Sequence, residues 1–114
     1  MNKLFYVGAK AAIEKNGKIL WLNKAGGCSF LDLPGGRIQD QEHYIDTIAR
    51  ELSEELPGIS NIQVGELLTA FDTGWALSDG GLIWMVYSVK ADLPEPIVLS
   101  PEHCGFEWRN EYTL

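Results

Sequence analysis

Three glutamates, Glu51, Glu54 and Glu55, stand at positions i, i+3 and i+4 of a stretch with helical periodicity. At this spacing their side chains share one side of an α-helix, so the three carboxylates would lie close together. Carboxylates held this close repel one another unless a positive charge lies between them. Arg50 could supply that charge, and a divalent cation is the better candidate, because hard cations such as Mg²⁺ take carboxylate and phosphate oxygens as ligands. The alternative is a solvated acidic face, which is what most charge runs form.

The glutamates need a helix that packs on a core, and the surrounding pattern predicts one. Apolar side chains recur at spacings of three and four, at Ile45, Ile48, Ala49, Leu52 and Leu56. We expect this stripe to pack against a sheet. The predicted helix runs from about Gln41 to Leu56, because Pro57 disfavours helical geometry at the residue before it. A turn signal, Pro34-Gly35-Gly36, precedes the helix.

Two further residues precede the acidic cluster at fixed distances. Five residues separate Gly36 from Glu42, and seven separate Glu42 from Arg50-Glu51-Leu52-Ser53-Glu54-Glu55. This pattern resembles the signature of the Nudix hydrolases: Gly, five residues, Glu, seven residues, then Arg-Glu-apolar-any-Glu-Glu-any-Gly-apolar. The sequence departs from it only at Pro57, which is inserted so that the final Gly-Ile pair arrives one position late. The insertion puts the loop after the helix in question and leaves the spacing of the glutamates untouched.

The resemblance implies a set of catalytic and metal-binding roles. Glu51, Glu54 and Glu55 would bind Mg²⁺ or Mn²⁺, with the backbone carbonyl of Gly36 as a further ligand. The implied reaction is hydrolysis of a nucleoside diphosphate linked to another group, in which water attacks one phosphorus of the diphosphate bridge. Glu54 is the candidate for orienting or deprotonating that water. Arg50 would hold the glutamates in place by a bidentate ion pair.

Other residues receive roles with open alternatives. Gly35 belongs to the signature turn, and Glu42 would support the signature loop or act as a favourable acid in the first helical turn. Glu102 is a second candidate base, since some Nudix enzymes place the base on a late loop; the alternative is a surface glutamate. Trp75 could stack on a base. Lys10 could meet a phosphate or only reach solvent.

The order of elements predicts a mixed α/β (α+β) domain covering residues 1–114. Strands are expected at Phe5–Ile13, Lys18–Leu22, Phe30–Leu33, Ile62–Phe71, Leu82–Val89 and Cys104–Arg109. Asn16-Gly17 predicts a hairpin turn, residues 24–29 a small-residue loop, and Asp72–Gly81 another loop. The resemblance implies the Nudix fold, a mixed β-sheet flanked by helices in an α/β/α sandwich, with the usual C-terminal helix missing or short. Because Leu82–Val89 is nearly all apolar and needs cover on both faces, we expect a homodimer.

Composition limits the classes of function. The chain has 114 residues, of which 46% are hydrophobic, and a net charge of −7. An acidic chain of this kind argues against non-specific binding to nucleic acid or membranes. Cys28 and Cys104 form no disulfide framework, so two buried or partly buried free thiols are expected. His43 should face solvent, and His103 lacks the paired Cys/His set of a zinc site. The absence of a leader and of a long apolar run favours the cytoplasm.

Two rival functions remain beside the hydrolase. One is a non-catalytic or weakly active Nudix domain that binds a nucleotide, although such a domain is expected to lack one of the signature residues. The other, a Ca²⁺-binding domain, requires alternating oxygen ligands that the sequence does not have. The sequence alone does not separate nucleoside triphosphates, dinucleoside polyphosphates and nucleotide sugars as substrates.

Overall fold

One helix and seven strands make up the part of the chain that this computed structural model describes, residues 2–25 and 30–110. In chain order they are β1 (Phe5–Lys15), β2 (Lys18–Lys24), β3 (Leu31–Asp32), β4 (Gly35–Arg37), α1 (Tyr44–Glu55), β5 (Ser60–Leu77), β6 (Gly80–Asp92) and β7 (His103–Arg109). The strands form one sheet in the order β3-β2-β1-β6-β5, with β4 paired to β1 and β7 paired to β2. β1 runs parallel to β6, whereas the other pairings are antiparallel. A mixed sheet with a helix confirms the predicted α+β class.

The β1–β2 hairpin turns at Asn16-Gly17, as the sequence predicts. Both residues have positive φ, 54° for Asn16 and 77° for Gly17, and a two-residue hairpin turn of the favoured twist needs this left-handed pair. The turn sets Lys15 opposite Lys18. Before the turn, β1 lies in the middle of the sheet, where Lys10 stands opposite Val86 of β6.

The sheet packs a hydrophobic core on each face, because successive side chains of a strand point to opposite sides. On one face Ile48 and Leu52 of α1 and its C-cap residue Leu56, each 0% exposed, pack against β1, β2 and β6. The second core contains Ala12, Ile19, Trp21, Leu33, Leu82, Trp84 and Val86. Both faces of the central strands β1 and β6 are therefore covered by this chain.

Helix α1 begins later than predicted, at Tyr44 instead of Gln41. Gln41 has a φ of 70°, which is incompatible with a helix. His43 is the N-cap: its side chain accepts the N–H of Ile45, while the Asp46 side chain accepts the N–H of His43. This capping box fixes the start of the helix, and the exposed position of His43 agrees with the prediction that it faces solvent.

The predicted apolar stripe of α1 is wrong at Ile45, which is 43% exposed. The first turn packs through Tyr44 instead, whose ring stacks on Tyr87 of β6 with centroids 4.4 Å apart. Thr47 is fully buried in place of an apolar residue. The predicted helical period is correct, but at the first turn the buried face of α1 contains Thr47 instead of Ile45.

The loop predicted at Asp72–Gly81 is wrong, because β5 continues to Leu77 and β6 begins at Gly80. Leu77 stands opposite Gly80 across a turn at residues 78–79. Three glycines suggested the loop, and one of them, Gly74, has a φ of 78° and lies in an irregular stretch of the pairing. Bulged strands tolerate such a glycine without ending the ladder.

The reason given above for a homodimer is not supported. Of the apolar strand Leu82–Val89, Trp84 and Val86 are buried in one core, and Tyr87 and Val89 in the other. The chain itself therefore covers β6 on both faces, and the homodimer stays a prediction.

The second helical layer of the expected sandwich is not formed by residues 2–25 and 30–110, where α1 is the one helix. None of the helical structure in these ranges is long and apolar enough to cross a membrane.

The cysteine prediction needs correction at Cys104. This residue is exposed in β7 and is disulfide-bonded, so the expected free, buried thiol is wrong. The other cysteine of the sequence, Cys28, lies outside the described residues, as does most of the loop predicted at residues 24–29.

Candidate active site

The turn that leads into the signature segment is held tightly against β1. The Pro34 carbonyl accepts the N–H of Ala11 at 2.8 Å, and Gly35 stands opposite Lys10. Gly35 has a φ of 128°, and a Cβ at this position would lie 2.3 Å from the Ala9 carbonyl oxygen. Because that neighbour is backbone, a side chain at Gly35 cannot be accommodated without moving the strand.

The next glycine makes room for a carboxylate of α1. A Cβ at Gly36 would lie 2.4 Å from Cδ of Glu51 and 2.6 Å from its Oε1. The absence of a side chain at Gly36 therefore allows the Glu51 carboxylate to lie against the backbone of the turn. Helix and turn meet at this point, as α1 packs on β4.

Arg50 forms its bidentate pair with Glu42. Its Nε donates to Glu42 Oε2 at 2.7 Å and its Nη2 to Glu42 Oε1 at 3.0 Å. Glu42 also accepts the Gln39 N–H and the Thr47 hydroxyl, each at 2.9 Å. The Arg50 guanidinium, followed by the Gln39 N–H, lowers the pKa of Glu42 to about 2. Glu42, which precedes the helix, thus ties the signature loop to α1.

The same guanidinium reaches the glutamates through its third nitrogen. Arg50 Nη1 donates to Glu51 Oε1 at 2.8 Å and lies 3.7 Å from Glu54 Oε1. The Glu54 side chain is 61% exposed and does not line the cavity described below. The pKa of Arg50 is raised, chiefly by its hydrogen bond to Glu42. Arg50 therefore neutralises Glu51 and holds it in place.

Glu55 is the deeply buried carboxyl of the site, 4% exposed. Its Oε1 accepts the Gly35 N–H at 2.8 Å. Burial raises the pKa of Glu55 to about 8, although the Gly35 N–H and the charge of Lys10 oppose this rise. At neutral pH the side chain is therefore mostly protonated, and ionising it requires a positive charge close by.

His103 lies against Glu55 from the start of β7. Its Nε2 is 4.0 Å from Glu55 Oε2, and the residue is 7% exposed. Burial lowers the pKa of His103, so the contact is one between neutral side chains near pH 7. The other ring nitrogen, Nδ1, is buried without a hydrogen-bond partner.

These groups line one cavity of about 370 Å³. Its aromatic lining includes Trp75, whose ring centroid lies 5.8 Å from that of Phe30 and 5.6 Å from that of Trp84. Phe30 and Trp75 are 54% and 41% exposed, so their faces are open to a ligand. The cavity is also lined by the polar and charged residues Lys10, Lys24, Asp32, Arg37, Glu51, Glu55, Glu102 and His103. A cavity lined by both aromatic and charged side chains fits an amphipathic ligand.

Several residues predicted from the sequence come together here. Glu51, Glu55, Glu102, Trp75 and Lys10 all line the cavity. Glu102 is on the exposed turn before β7, where its carbonyl accepts the N–H of Ala25 at 3.0 Å. Asp32 and His103 also line it, and sequence reasoning gave neither a role in this site. Each is a single residue on a short strand or strand end, without a periodic pattern that could have marked it.

The carboxylates of α1 are the kind of ligand that a hard cation binds, but they do not form a complete coordination sphere. Within residues 2–25 and 30–110, no three His, Cys, Asp or Glu side chains are grouped so that they could hold a metal ion. Glu51 and Glu55 reach the cavity, whereas Glu54 is turned towards solvent. Two observations nevertheless fit a cation here: the side-chain-free backbone at Gly36 beside Glu51, and a buried carboxyl that lacks a full counter-charge. A change of the exposed Glu54 rotamer would be needed to add the third carboxylate.

Known proteins share this fold and sequence pattern. A family model described as the NUDIX domain matches residues 6–111. The structure of a MutT NUDIX hydrolase from Burkholderia pseudomallei superposes with a TM-score of 0.77 at 26% identity, covering 95% of this chain and 84% of that one. A MutT protein from Methanosarcina mazei gives 0.76 at 23% identity, covering 96% and 79%. No curated protein sequence matches the chain.

A larger protein contains a similar domain. A bifunctional NMN adenylyltransferase/ADP ribose pyrophosphatase from Francisella tularensis, solved with AMP and a manganese ion, gives a TM-score of 0.67 at 24% identity. The match covers 94% of this chain and 34% of that one. With the family model matching nearly the whole length, the chain belongs to the NUDIX domain family. It is a hydrolase of the Nudix type.

Proposed function

We propose that this protein hydrolyses a nucleoside diphosphate linked to another group, such as a nucleoside triphosphate, a dinucleoside polyphosphate or a nucleotide sugar. The observation that carries the proposal is the composition of one cavity. It joins the α1 carboxylates of Glu51 and Glu55 to the open aromatic faces of Phe30 and Trp75. A nucleotide has both the anionic and the aromatic part that such a cavity accommodates.

We propose Glu51, Glu55 and the Gly36 carbonyl, joined by Glu54, as the residues that would hold Mg²⁺ or Mn²⁺. A bound cation of this kind neutralises charge on phosphate oxygens and lowers the pKa of the attacking water. The structurally similar protein from Francisella tularensis was solved with AMP and a manganese ion, and these are the two kinds of ligand that the proposal assigns to this cavity. Arg50, anchored on Glu42, keeps Glu51 directed at the turn.

Two carboxylates are candidates for moving the proton of the attacking water. Glu54 is exposed beside Arg50, and Glu102 lines the cavity from the turn before β7. Glu102 is the better placed of the two, because a general base must reach the water inside the cavity. Glu54 would act only after its side chain turns inward. Trp75 stacks on the base in this proposal, and Lys10, which is 5% exposed, meets the ligand from the cavity floor.

The test is product release from a panel of nucleoside di- and triphosphates, nucleotide sugars and dinucleoside polyphosphates, with Mg²⁺ and with Mn²⁺. We expect turnover that EDTA abolishes and that falls by about 10²-fold or more in Glu54→Gln and in Glu102→Gln. Glu66→Gln is the matched control, because Glu66 is exposed on β5. Failure of folded, metal-loaded protein to act on any compound would overturn the proposal. Retained nucleotide binding would then favour the second candidate, a nucleotide-binding Nudix module.

We also propose a homodimer and a cytoplasmic location. Exposed Leu67 and Leu68, at 46% and 40%, lie on β5, which is an edge strand and hence a surface suited to a second subunit. Light scattering at several protein concentrations tests the dimer, and a monomer mass throughout would overturn it.

Cell fractionation tests the cytoplasmic location, and recovery of the protein outside the cytoplasm would overturn it. Disulfides such as that of Cys104 are commoner outside the cytoplasm.

A further inference from the structure

His103 is a buried imidazole whose place beside Glu55 is fixed by the backbone. The N–H of Ser100 donates to the Glu55 carbonyl, and the N–H of His103 donates to the Ser100 carbonyl, each at 3.1 Å. His103 also stands opposite Lys24 in the β2–β7 pairing. These contacts tie the turn before β7 to the C-terminal end of α1. They hold the imidazole against the Glu55 side chain, where both residues line the cavity.

No hydrogen bond within residues 2–25 and 30–110 accounts for this imidazole. Its side chain is 3% exposed, and its Nδ1 is buried without a partner. Its Nε2 lies 4.0 Å from Glu55 Oε2, which exceeds the length of a hydrogen bond. A buried polar side chain without a partner lowers stability, and its presence calls for a reason such as a bound ion. His103 therefore has a nitrogen that a ligand of the cavity can use.

The oxygen of Glu55 that faces His103 is also unused. Glu55 Oε1 accepts the N–H of Gly35 at 2.8 Å, whereas Oε2 accepts no hydrogen bond from the described part of the chain. Bonds from one cation to an imidazole nitrogen and to a carboxylate oxygen are each about 2.0 to 2.2 Å long, so together they span about 4 Å. Nε2 and Oε2, which are 4.0 Å apart, are therefore within reach of the same ion.

We propose that His103 is a nitrogen ligand of the cation assigned above to Glu51 and Glu55, and that it makes this site prefer Mn²⁺ and Co²⁺ over Mg²⁺. Mg²⁺ takes oxygen ligands. Imidazole instead favours cations of the first transition series, with an affinity that rises from Mn²⁺ to Co²⁺. Glu51 and the Gly36 carbonyl supply further oxygen ligands. The inference rests on the proposed function, because it concerns the cation of the same site.

The opposing role for His103 is packing alone. That role predicts a bound cation with oxygen ligands only, and an equal loss of affinity for every cation when His103 is replaced. The ligand role predicts a metal–nitrogen bond. It also predicts that His103→Gln loses more affinity for Mn²⁺ and Co²⁺ than for Mg²⁺, because the amide oxygen of Gln suits the harder ion.

Electron spin-echo envelope modulation of the Mn²⁺-loaded, tag-free protein detects a nitrogen bound to the metal. The sequence has two histidines, His43 and His103, so ¹⁵N-labelled histidine should replace the ¹⁴N modulation of the wild type. His43→Asn is the matched control, because His43 is exposed outside the cavity and Asn keeps the helix cap. This variant should retain the modulation. Absence of nitrogen modulation in the wild type, or its persistence in folded His103→Gln, would overturn the proposal.

A second measurement gives the selectivity. Mn²⁺ binding is titrated by electron paramagnetic resonance without nucleotide, and Mg²⁺ and Co²⁺ are added as competitors. We expect the Kd of Mg²⁺ relative to that of Mn²⁺ or Co²⁺ to fall about tenfold or more in His103→Gln, and to stay unchanged in His43→Asn. Equal ratios in His103→Gln and the wild type would overturn the proposal.

Both measurements are made without substrate, so they separate this inference from the proposed hydrolysis. Nitrogen coordination in a protein that turns over none of the nucleotides would support the role of His103 and overturn the hydrolase. Metal-dependent turnover by a protein whose cation has oxygen ligands only would do the reverse.

Discussion

Replacing Glu55 by Gln should remove a pH dependence of stability from the metal-free protein. The pKa of Glu55 is about 8 in the folded protein, against a usual value of 4.5. A raised carboxyl pKa means that its contribution to stability is fully present below pH 4.5 and is lost as the pH rises towards 8. Within this window each pH unit weakens folding by up to about 1.4 kcal/mol. Because the carboxyl of the unfolded chain is not fully ionised at pH 5, the loss between pH 5 and pH 7 is about 2.5 kcal/mol.

Gln at this position is neutral at every pH, and its side-chain oxygen can still accept the N–H of Gly35. The groups that face Glu55 are Lys10, Asp32, Glu51 and His103, and the substitution leaves all four in place. The difference between variant and wild type therefore isolates the ionisation of Glu55. We expect Glu55→Gln to be more stable than the wild type at pH 7 and nearly equal to it at pH 4.5.

The assay is urea unfolding in EDTA at half-unit steps from pH 4.5 to 8.5, with Glu66→Gln as the exposed control. Addition of Mg²⁺ should restore stability to the wild type at pH 7 to 8, because binding to the folded state alone stabilises it. Glu55→Gln should gain less. The reasoning is refuted if the wild type and Glu55→Gln lose stability in parallel between pH 5 and 7.

Four further outcomes follow from the site. Gly36→Ala should displace the Glu51 carboxylate, which lies where the new Cβ would stand, and weaken Mn²⁺ binding about tenfold by electron paramagnetic resonance, with little change in Tm. Gly35→Ala should lower stability by about 2 kcal/mol or more in urea unfolding, since its Cβ meets backbone at a left-handed φ; an unchanged midpoint would contradict this. Arg50→Lys should cut turnover about tenfold, because Lys cannot bind Glu42 through two nitrogens, whereas Arg109→Lys in β7 should not. Glu42→Gln should flatten acid unfolding between pH 4.5 and 2, because a pKa lowered to about 2 gives stability that is present above pH 4.5 and lost as the pH falls.

The sequence predicted the elements whose signals are local. The Asn16-Gly17 turn, the α1 periodicity and the apolar β6 strand all depend on neighbouring residues, and all are present. The strand after Phe71 was missed because glycines suggested a loop, whereas pairing with β6 carries β5 on to Leu77. Ile45 was misplaced because helical spacing alone does not fix which arc of the helix faces the sheet.

The site residues that lie on one helix could be predicted from their spacing. Those that come together from distant segments of the chain could not. Spacing placed Glu51 and Glu55 one helical turn apart, and both line the cavity. It could not show that Glu54, at the intervening i+3 position, is 61% exposed. Asp32 and His103 join the cavity through contacts between distant segments, such as Lys10 with Asp32 and Glu55 with His103. No pattern within either segment indicates such a contact.

Hydrolysis in ¹⁸O-labelled water tests the proposed function most directly, with the phosphorus products followed by ³¹P spectroscopy. The compounds are the nucleoside triphosphates and nucleotide sugars, with Mg²⁺ present. The account predicts one labelled oxygen on one phosphorus product, formed only with the metal and reduced about 10²-fold or more when Glu54 or Glu102 is replaced by Gln. It is contradicted if folded protein with bound Mg²⁺ yields no product, or if the rate is the same in EDTA.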